Sequence, residues 1–486
     1  MRKLFIIFSF LTIYSSTGVC QSEENFSLKQ CIDIALNNNI TMKQTLLTVE
    51  GNKVSVNQSK MNRYPNLNAG AAQSINYGRS VNPYDNTVVA DQRVNSYNLS
   101  LSTNVNLFRG FQNNLTIQQG QLNLKASQED IGTTKNNIFL GVVESFANVL
   151  SNKAILSSSL AQSESTTGQI ERTEKLVKAG RLPITSLYDL KSQAALEETN
   201  IVLAENNLEL AKLALAQWMQ IDPTQIKDVV EPNLTIDEQE EKSALDVYKV
   251  AESNQPQIQA AKTRVVSAEK GISLAKSTYY PSLSVQAGLF TNYSSLAQKF
   301  VPGQLLQTPI LTPLQTFIVK DINGDVLPIQ VNQASFFSSP AVEDLKFGEQ
   351  LDNNLRKGLT FNLNIPIFNA FQSHYNTETA KISKRNAELQ LLQQKNQLRQ
   401  TIETAVANEK AARKRLQAIE KQIVALEESF RSTEQRFNLG VLNAVEFLIT
   451  KNNLARAQND KARFKYDFFI RRSLLDFYLG RDLNFN

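Results

Sequence analysis

The chain has 486 residues, 42% of them apolar and 20% charged, with a formal net charge of +5. That length accommodates several domains or one large core. The charge is too small for this length to indicate a nucleic-acid partner, and the composition is not extreme in any direction.

Residues 1–20 read as a secretory signal. Arg2 and Lys3 form the charged start, LFIIFSFLTIY the apolar stretch, and SSTGVC the small-residue approach to cleavage before Gln21. No later segment has about 18 consecutive apolar residues, so no membrane-spanning helix is expected after processing. Cys20 admits a second reading as a lipidated N-terminus, although valine precedes it where a small residue is expected. Cys31 lies on an early helix and reads as an ordinary buried small side chain. With one thiol left after cleavage, no structural disulfide is expected.

The early helix, SLKQCIDIALNNN (27–39), is followed by a strand over 64–78 that opens at Tyr64-Pro65 and sets Leu67, Ala69 and Ala71 on one side. A second strand, 95–108, alternates strictly: Tyr97, Leu99, Leu101, Thr103, Val105 and Leu107 face one way, Asn98, Ser100, Ser102, Asn104 and Asn106 the other. Beyond Phe111 the alternation stops. No proline occurs between Pro83 and Pro183, and Phe111 to Gly180 is 69 residues. As one helix this makes a rod of roughly 100 Å. A turn near Gly180 leads into a return helix with two apolar seams. Ile201, Ala204, Leu208, Ala211, Leu215 and Trp218 step 3,4,3,4,3, and Leu196, Leu203 and Leu210 form a stripe on another face. Two seams call for two neighbours, whereas an ordinary coiled-coil hairpin needs one.

The series then recurs, so the mature chain divides into two repeats, 21–243 and 244–486. Tyr64-Pro65 falls on Tyr280-Pro281 at an offset of 216. LFRGFQNN (107–114) falls on IFNAFQSH (367–374), and KLVKAGRL (175–182) on QRFNLGVL (435–442), both at 260. The difference is a 44-residue insertion, read as a loop around 292–357 between strands 280–291 and 357–368. From Phe371 to Leu479 the only glycine is Gly440, which marks the second turn. Residues 180–222 and 244–279 are expected to stack end to end as one composite column.

The four strands have the length of tilted bilayer-spanning strands. A soluble sheet with one face on a core would alternate in the same way. The export signal and the long flanking helices favour the membrane. Four strands cannot close a barrel, and open edges cannot sit in lipid, so the protomers must associate.

This arrangement resembles the TolC-like outer-membrane efflux proteins over about 25–484. The resemblance rests on SLKQCIDIALNNN, the two Tyr-Pro strand starts, the junctions LFRGFQ and IFNAFQ, and the tips at 175–200 and 436–458. It implies an α+β membrane protein built as a homotrimer. A twelve-stranded β-barrel would contact outer-membrane lipid, and an α-helical tunnel of long coiled-coil helices would cross the periplasm. The hairpin tips would dock on a periplasmic adaptor, a membrane fusion protein that serves an inner-membrane transporter. Cargo would pass without chemistry.

On this resemblance Gly180, Arg181, Leu182, Gly440 and Val441 are adaptor-contact residues at exposed tips. The plainer role of the two glycines is helix termination. Glu446 aligns with the first of two acidic positions that ring the closed tunnel end, and the second falls on Ile449. Glu446 equally completes a capping box, Asn443-x-x-Glu446. Leu442 stands where the family places a latch arginine, Thr185 and Ser186 at its partners, and Phe437 at a latch tyrosine. Closure by packing is therefore expected in place of a polar latch. Tyr77, Tyr84, Tyr97, Phe290 and Tyr293 lie near strand ends, where an aromatic girdle or chance placement accounts for them.

No catalytic constellation, cofactor motif or metal-ligand spacing occurs, so an enzyme is not expected. His374, the one histidine, reads as a solvated surface residue. The rival from another class is a periplasmic adaptor or structural coiled-coil protein without a pore, which would not need four alternating strands in duplicate. An ordinary porin would have many strands and little helix. Nothing in the sequence names the cargo.

Overall fold

The computed structural model describes residues 24–81, 88–89, 93–231, 243–303, 305–311, 315–320, 322–331, 334–337 and 341–481. In chain order these form β1 (Glu24–Phe26), α1 (Leu28–Asn38), α2 (Ile40–Met61) and β2 (Asn66–Asn76). Two short strands, β3 (Ser80–Val81) and β4 (Val88–Val89), precede β5 (Val94–Arg109), α3 (Gln112–Lys178), α4 (Ile184–Met219) and β6 (Ile226–Val229). Next come α5 (Ala244–Asn254), α6 (Pro256–Lys276) and β7 (Ser282–Ser294). The insertion holds β8 (Gln298–Val301), β9 (Leu305–Leu311), β10 (Gln315–Lys320), β11 (Val326–Val331), β12 (Ala334–Phe337) and β13 (Ala341–Asp344). The chain closes with α7 (Phe347–Asn353), β14 (Arg356–Asn364), α8 (Gln372–Asn438) and α9 (Ala444–Tyr478). It divides into two compact units: residues 57–117 with 273–378, and the remainder. Each unit draws on both halves of the sequence.

The first unit holds a four-stranded antiparallel sheet in the order β14-β7-β5-β2. Its register continues the alternation across strands. Ala69 lies opposite Leu101, which lies opposite Leu289, and Val285 opposite Phe361. One face is thereby apolar, and Asn104 opposite Gln286 opposite Thr360 belongs to a polar one. The fourth strand ends at Asn364, four residues short of the expected 368, because β7 begins at its partner Ser282 and offers nothing further to pair with. β5 continues to Arg109, paired beyond Asn104 with β7 alone across a register shift between Asn106 and Phe108.

The strand-to-helix junctions answer why a strand turns so abruptly into a long rod. Gly110 and Phe111 are left-handed at φ +54° and +62°, and Ala370 and Phe371 repeat this at +51° and +61°. Two consecutive left-handed residues redirect the backbone within a single step. Phe108 packs edge-on to Phe111, and Phe368 to Phe371. A Cβ on Gly110 would lie 2.4 Å from the Ser277 carbonyl oxygen. Gly110→Ala is therefore expected to cost about 1–3 kcal/mol, and Ala370→Gly, which relieves a left-handed alanine, to gain up to about 1 kcal/mol. Chemical unfolding of both variants checks the opposite signs.

The insertion is not a loop, as the sequence suggested. Its strands form nested antiparallel pairs, β8 with β13, β9 with β12 and β10 with β11. Unpaired backbone over such a length would be costly, and pairing satisfies it locally. The root is fixed by the buried Gln350. Its Oε1 accepts the Ser294 N–H at 2.9 Å, and its Nε2 donates to the carbonyls of Leu345 and Ser294. Tyr97 and Tyr293 pack on each other and on Phe347, so their rings are engaged beneath α7. Tyr77 is exposed with the Arg93 guanidinium over its ring, Phe290 is exposed, and Tyr84 lies outside the described residues.

In the helical unit, α3 and α8 are 67 residues each, and both their ends are 260 apart. α1 and α2 start 216 residues before α5 and α6, with breaks at Asn39 and Gln255. The core gathers Cys31, Phe146, Leu215 and Met219, all fully buried. Burial pushes the Cys31 thiol up to about 12. One stretch of α3 is long and apolar enough to cross a membrane, but Val142, Phe146 and Leu150 spend that surface on this core. The expected stacking of 180–222 on 244–279 is corrected. The end of α4 meets the α1–α2 break, where Asn39 Nδ2 donates to the Trp218 carbonyl at 3.4 Å. α5 and α6 instead meet the end of α9, where Val247 and Ile258 pack with Tyr478. Trp218 lies over Gly141, where a Cβ would come within 2.4 Å of the indole. Of the two seams on α4, Ala204, Ala211 and Leu215 are buried, whereas Leu196, Leu203 and Leu210 are more than half exposed.

Candidate functional site

The sequence points to the two hairpin turns. Both close in the same way. Gly180 and Gly440 are left-handed at φ +74° and +73°, with amides donating to the Val177 and Phe437 carbonyls. Arg181 and Val441 donate to Leu176 and Arg436, five residues back. This is the Schellman geometry that glycine favours. Gly180, Arg181, Gly440 and Val441 are exposed, as an adaptor surface requires.

Leu182 is not exposed, contrary to expectation. It is 8% accessible and packs with Leu190, Phe437, Leu442, Ala444 and Phe447. This small core joins the two turns of the chain. Phe437 and Phe447 stack at 4.7 Å with their planes 13° apart. Phe437 and Leu442, which the sequence resemblance placed at a latch, lie at the centre of an apolar cluster. Thr185 is exposed and Ser186 buried in the first turn of α4.

Glu446 sits on the exposed face of α9, with Ile449 also exposed one turn on. Asn443 caps that helix: its Oδ1 accepts the Glu446 backbone N–H at 2.8 Å. The cap therefore uses the amide of Glu446 and leaves its carboxylate facing solvent. His374 is exposed. Among the described residues no group of three His, Cys, Asp or Glu is placed to hold a metal. Cys20 lies outside the described residues.

Just beyond the tips is a polar cluster that the sequence did not reveal. Lys451 on α9 and Glu197 on α4 are 2% and 5% accessible, with Nζ 3.4 Å from Oε1. Lys451 also donates to the Gln162 carbonyl at 3.2 Å and to Thr166 Oγ1 on α3, and the Thr166 hydroxyl is hydrogen-bonded to Glu197. Gln193 Nε2 donates to Glu197 at 2.9 Å and to Asn452 at 3.0 Å. Gln169 of α3 donates to Glu434 of α8 at 2.7 Å. Four helices are tied together here. Desolvation holds the Lys451 ammonium below its ordinary pKa, outweighing the attraction of Glu197 and Glu434. No periodicity could have found this cluster, because lysine, glutamate and threonine in polar helices ordinarily face water.

Comparison with known proteins agrees with this geometry. The family described as Outer membrane efflux protein matches residues 31–219 and 342–481. The chain is 20% identical to the outer membrane protein TolC of Escherichia coli K12, over 99% of this chain and 87% of that one. It shares the fold of VceC from Vibrio cholerae, an outer membrane protein, at a TM-score of 0.70, 16% identity and coverage of 93% and 96% of the two chains. The outer membrane channel CmeC of Campylobacter jejuni matches at a TM-score of 0.72 and 14% identity, over 93% and 85%.

Proposed function

The chain belongs to the outer membrane efflux protein family, and on that premise we propose that it is the passive exit duct of an efflux assembly, gated at its helix tips. It is an outer-membrane protein, and its family comprises conduits rather than enzymes. In this reading three protomers close a twelve-stranded barrel in outer-membrane lipid and a helical tunnel in the periplasm. The exposed turns at Gly180, Arg181, Gly440 and Val441 receive a periplasmic adaptor, whose inner-membrane transporter supplies the energy.

The observation that carries the gate is the paired tip: two equivalent turns joined by one apolar core, with the Glu446 carboxylate on the exposed face above it. Three symmetry-related carboxylates at a constriction attract cations. Packing of Leu182, Leu442 and Phe437 holds the tips where a salt bridge would otherwise serve.

Glu446→Ala separates gate from cap cleanly, because the cap uses the backbone amide, which alanine retains. In planar bilayers the variant is expected to conduct more or to select less for cations, with unchanged thermal stability. Equal conductance and selectivity would return Glu446 to the cap alone. Absence of any conductance from inserted wild-type protein would favour the pore-free adaptor reading.

A further inference from the structure

The polar face of the four-stranded sheet carries charge of one sign. β2, β5, β7 and β14 contain no aspartate or glutamate, and their charged residues are Arg109, Arg356 and Lys357. Side chains directly opposite one another on paired strands share a face. Arg356 lies opposite Phe290, Phe290 opposite Ser100, and Ser100 opposite Gly70, so Arg356 belongs to the polar face. Lys357 lies opposite Leu289 and belongs to the apolar one. Arg109 reaches the polar face through the register shift between Asn106 and Phe108, which sets it opposite Ser282, itself opposite Asn364. Without that extra residue it would follow Val105 onto the apolar face, so the bulge re-aims this side chain.

Between the two arginines the polar face is uncharged. Their rows are separated by the length of β14 from Arg356 to Asn364, roughly 27 Å at the rise of an antiparallel strand. Over that distance the face presents hydroxyls and amides, among them Ser102, Asn104, Gln286, Thr360 and Asn362. Arg109 and Arg356 are both exposed, and neither guanidinium has an ion-pair or hydrogen-bond partner among the described residues. Phe290 is the one aromatic side chain of the four strands on this face. Its ring lies along the wall over Gly288, where a Cβ would come within 2.4 Å of it. That glycine gives the ring a flat seat and leaves Phe290 43% exposed.

We infer that this polar wall is a binding surface for organic anions, with Arg356 holding the acidic group and Phe290 the apolar body, and that the cargo of the duct is drawn from that class. The inference rests on the channel proposed above, in which the polar face lines the water-filled barrel because lipid accepts only the apolar one. Symmetry then sets three Arg356 and three Phe290 side chains in one ring, and three Arg109 side chains in a second ring at the strand ends that lead into the helices. No carboxylate on the four strands neutralises them, so the field inside the barrel favours anions. A guanidinium offers a carboxylate, sulfonate or phosphate two parallel hydrogen bonds, which a lysine cannot match. Register puts the Cβ atoms of Phe290 and Arg356 about 5 Å apart. One amphiphilic anion, such as an aryl sulfonate, spans both.

Planar-bilayer recording under a KCl gradient tests it, with naphthalenesulfonate as the blocking anion and a naphthyl trimethylammonium of similar size as the control cation. Arg356→Gln is expected to move the reversal potential toward cation selectivity, and Arg356→Lys, which keeps the charge, to leave it near the wild type. The half-blocking concentration of naphthalenesulfonate is expected to rise about two- to fivefold in Arg356→Gln and in Phe290→Ala, the scale of one exposed contact. That of the control cation is expected not to rise in Arg356→Gln. Both side chains are exposed, so the substitutions spare the fold, and channel insertion at the wild-type frequency verifies this. If Arg356→Gln conducts with either its reversal potential or its sulfonate block unchanged, or if both probes block the wild type equally, the inference is overturned and the channel stands. A wild type that inserts and never conducts overturns the channel reading and this inference together.

Discussion

Phe437→Ala is expected to destabilise the tip by about 3–5 kcal/mol and to raise the channel's open fraction sharply. The ring is fully buried, stacks on Phe447, and sits between Leu182 and Leu442, which come from different hairpins. Removing it leaves a cavity in the apolar cluster that joins the two turns. A helix end has few neighbours with which to fill such a cavity, so collapse recovers little of the loss. Val441→Ala is the control: that side chain is 69% exposed, and its loss is expected to leave stability unchanged while altering only adaptor binding. The measurements are single-channel recording and limited proteolysis at the tips. An unchanged conductance with unchanged protease resistance would show that tip closure does not depend on this core.

The second large effect concerns Lys451. Lys451→Met removes the ammonium and leaves Glu197 charged and almost fully buried, held by Gln193 and Thr166 alone. Breaking a buried pair by one partner costs about 3–5 kcal/mol, mostly the desolvation of the charge left behind, whereas an apolar replacement of both partners is often neutral or better. Lys451→Met with Glu197→Leu is therefore expected to recover most of the loss seen in Lys451→Met. A double variant no more stable than the single one would show that the cost lies elsewhere, in the contacts of the Lys451 stem. The pH dependence has a definite sign. Burial depresses the folded-state pKa of Lys451, while the unfolded chain keeps its proton to about 10.4. Between those values the unfolded state binds more protons, so the stability of the wild type relative to Lys451→Met rises with pH through the alkaline window. A flat difference across that window would contradict the assignment.

Several features were legible because they arise from short-range regularities. The strand alternation depends on the two-residue pleat, and all four strands appear, with the third running to Ser294 and the fourth stopping at Asn364. The rods depend on the absence of helix breakers, and both end within two residues of the glycines that mark their turns. The family resemblance rested on the order of such signals and agrees with the family match. The inserted strands were missed because their turns and alternation are weak, and a long insertion without periodicity reads as a loop. The column stacking was misread because chain order suggested that α4 continues into α5. In the fold each return helix instead ends beside the short helix that opens its own repeat.

The sequence by itself determined the elements, their duplication and the membrane-length alternation, since each is set by neighbours within a turn or two of the chain. Only the tertiary structure decided that Leu182 faces inward, that Leu442 and Phe437 share one core, and that Lys451 meets Glu197 across 254 residues. Those outcomes depend on which helix faces oppose one another. A helix carries several candidate faces at once, and packing selects among them through buried area and paired charge, quantities that exist only after distant segments meet.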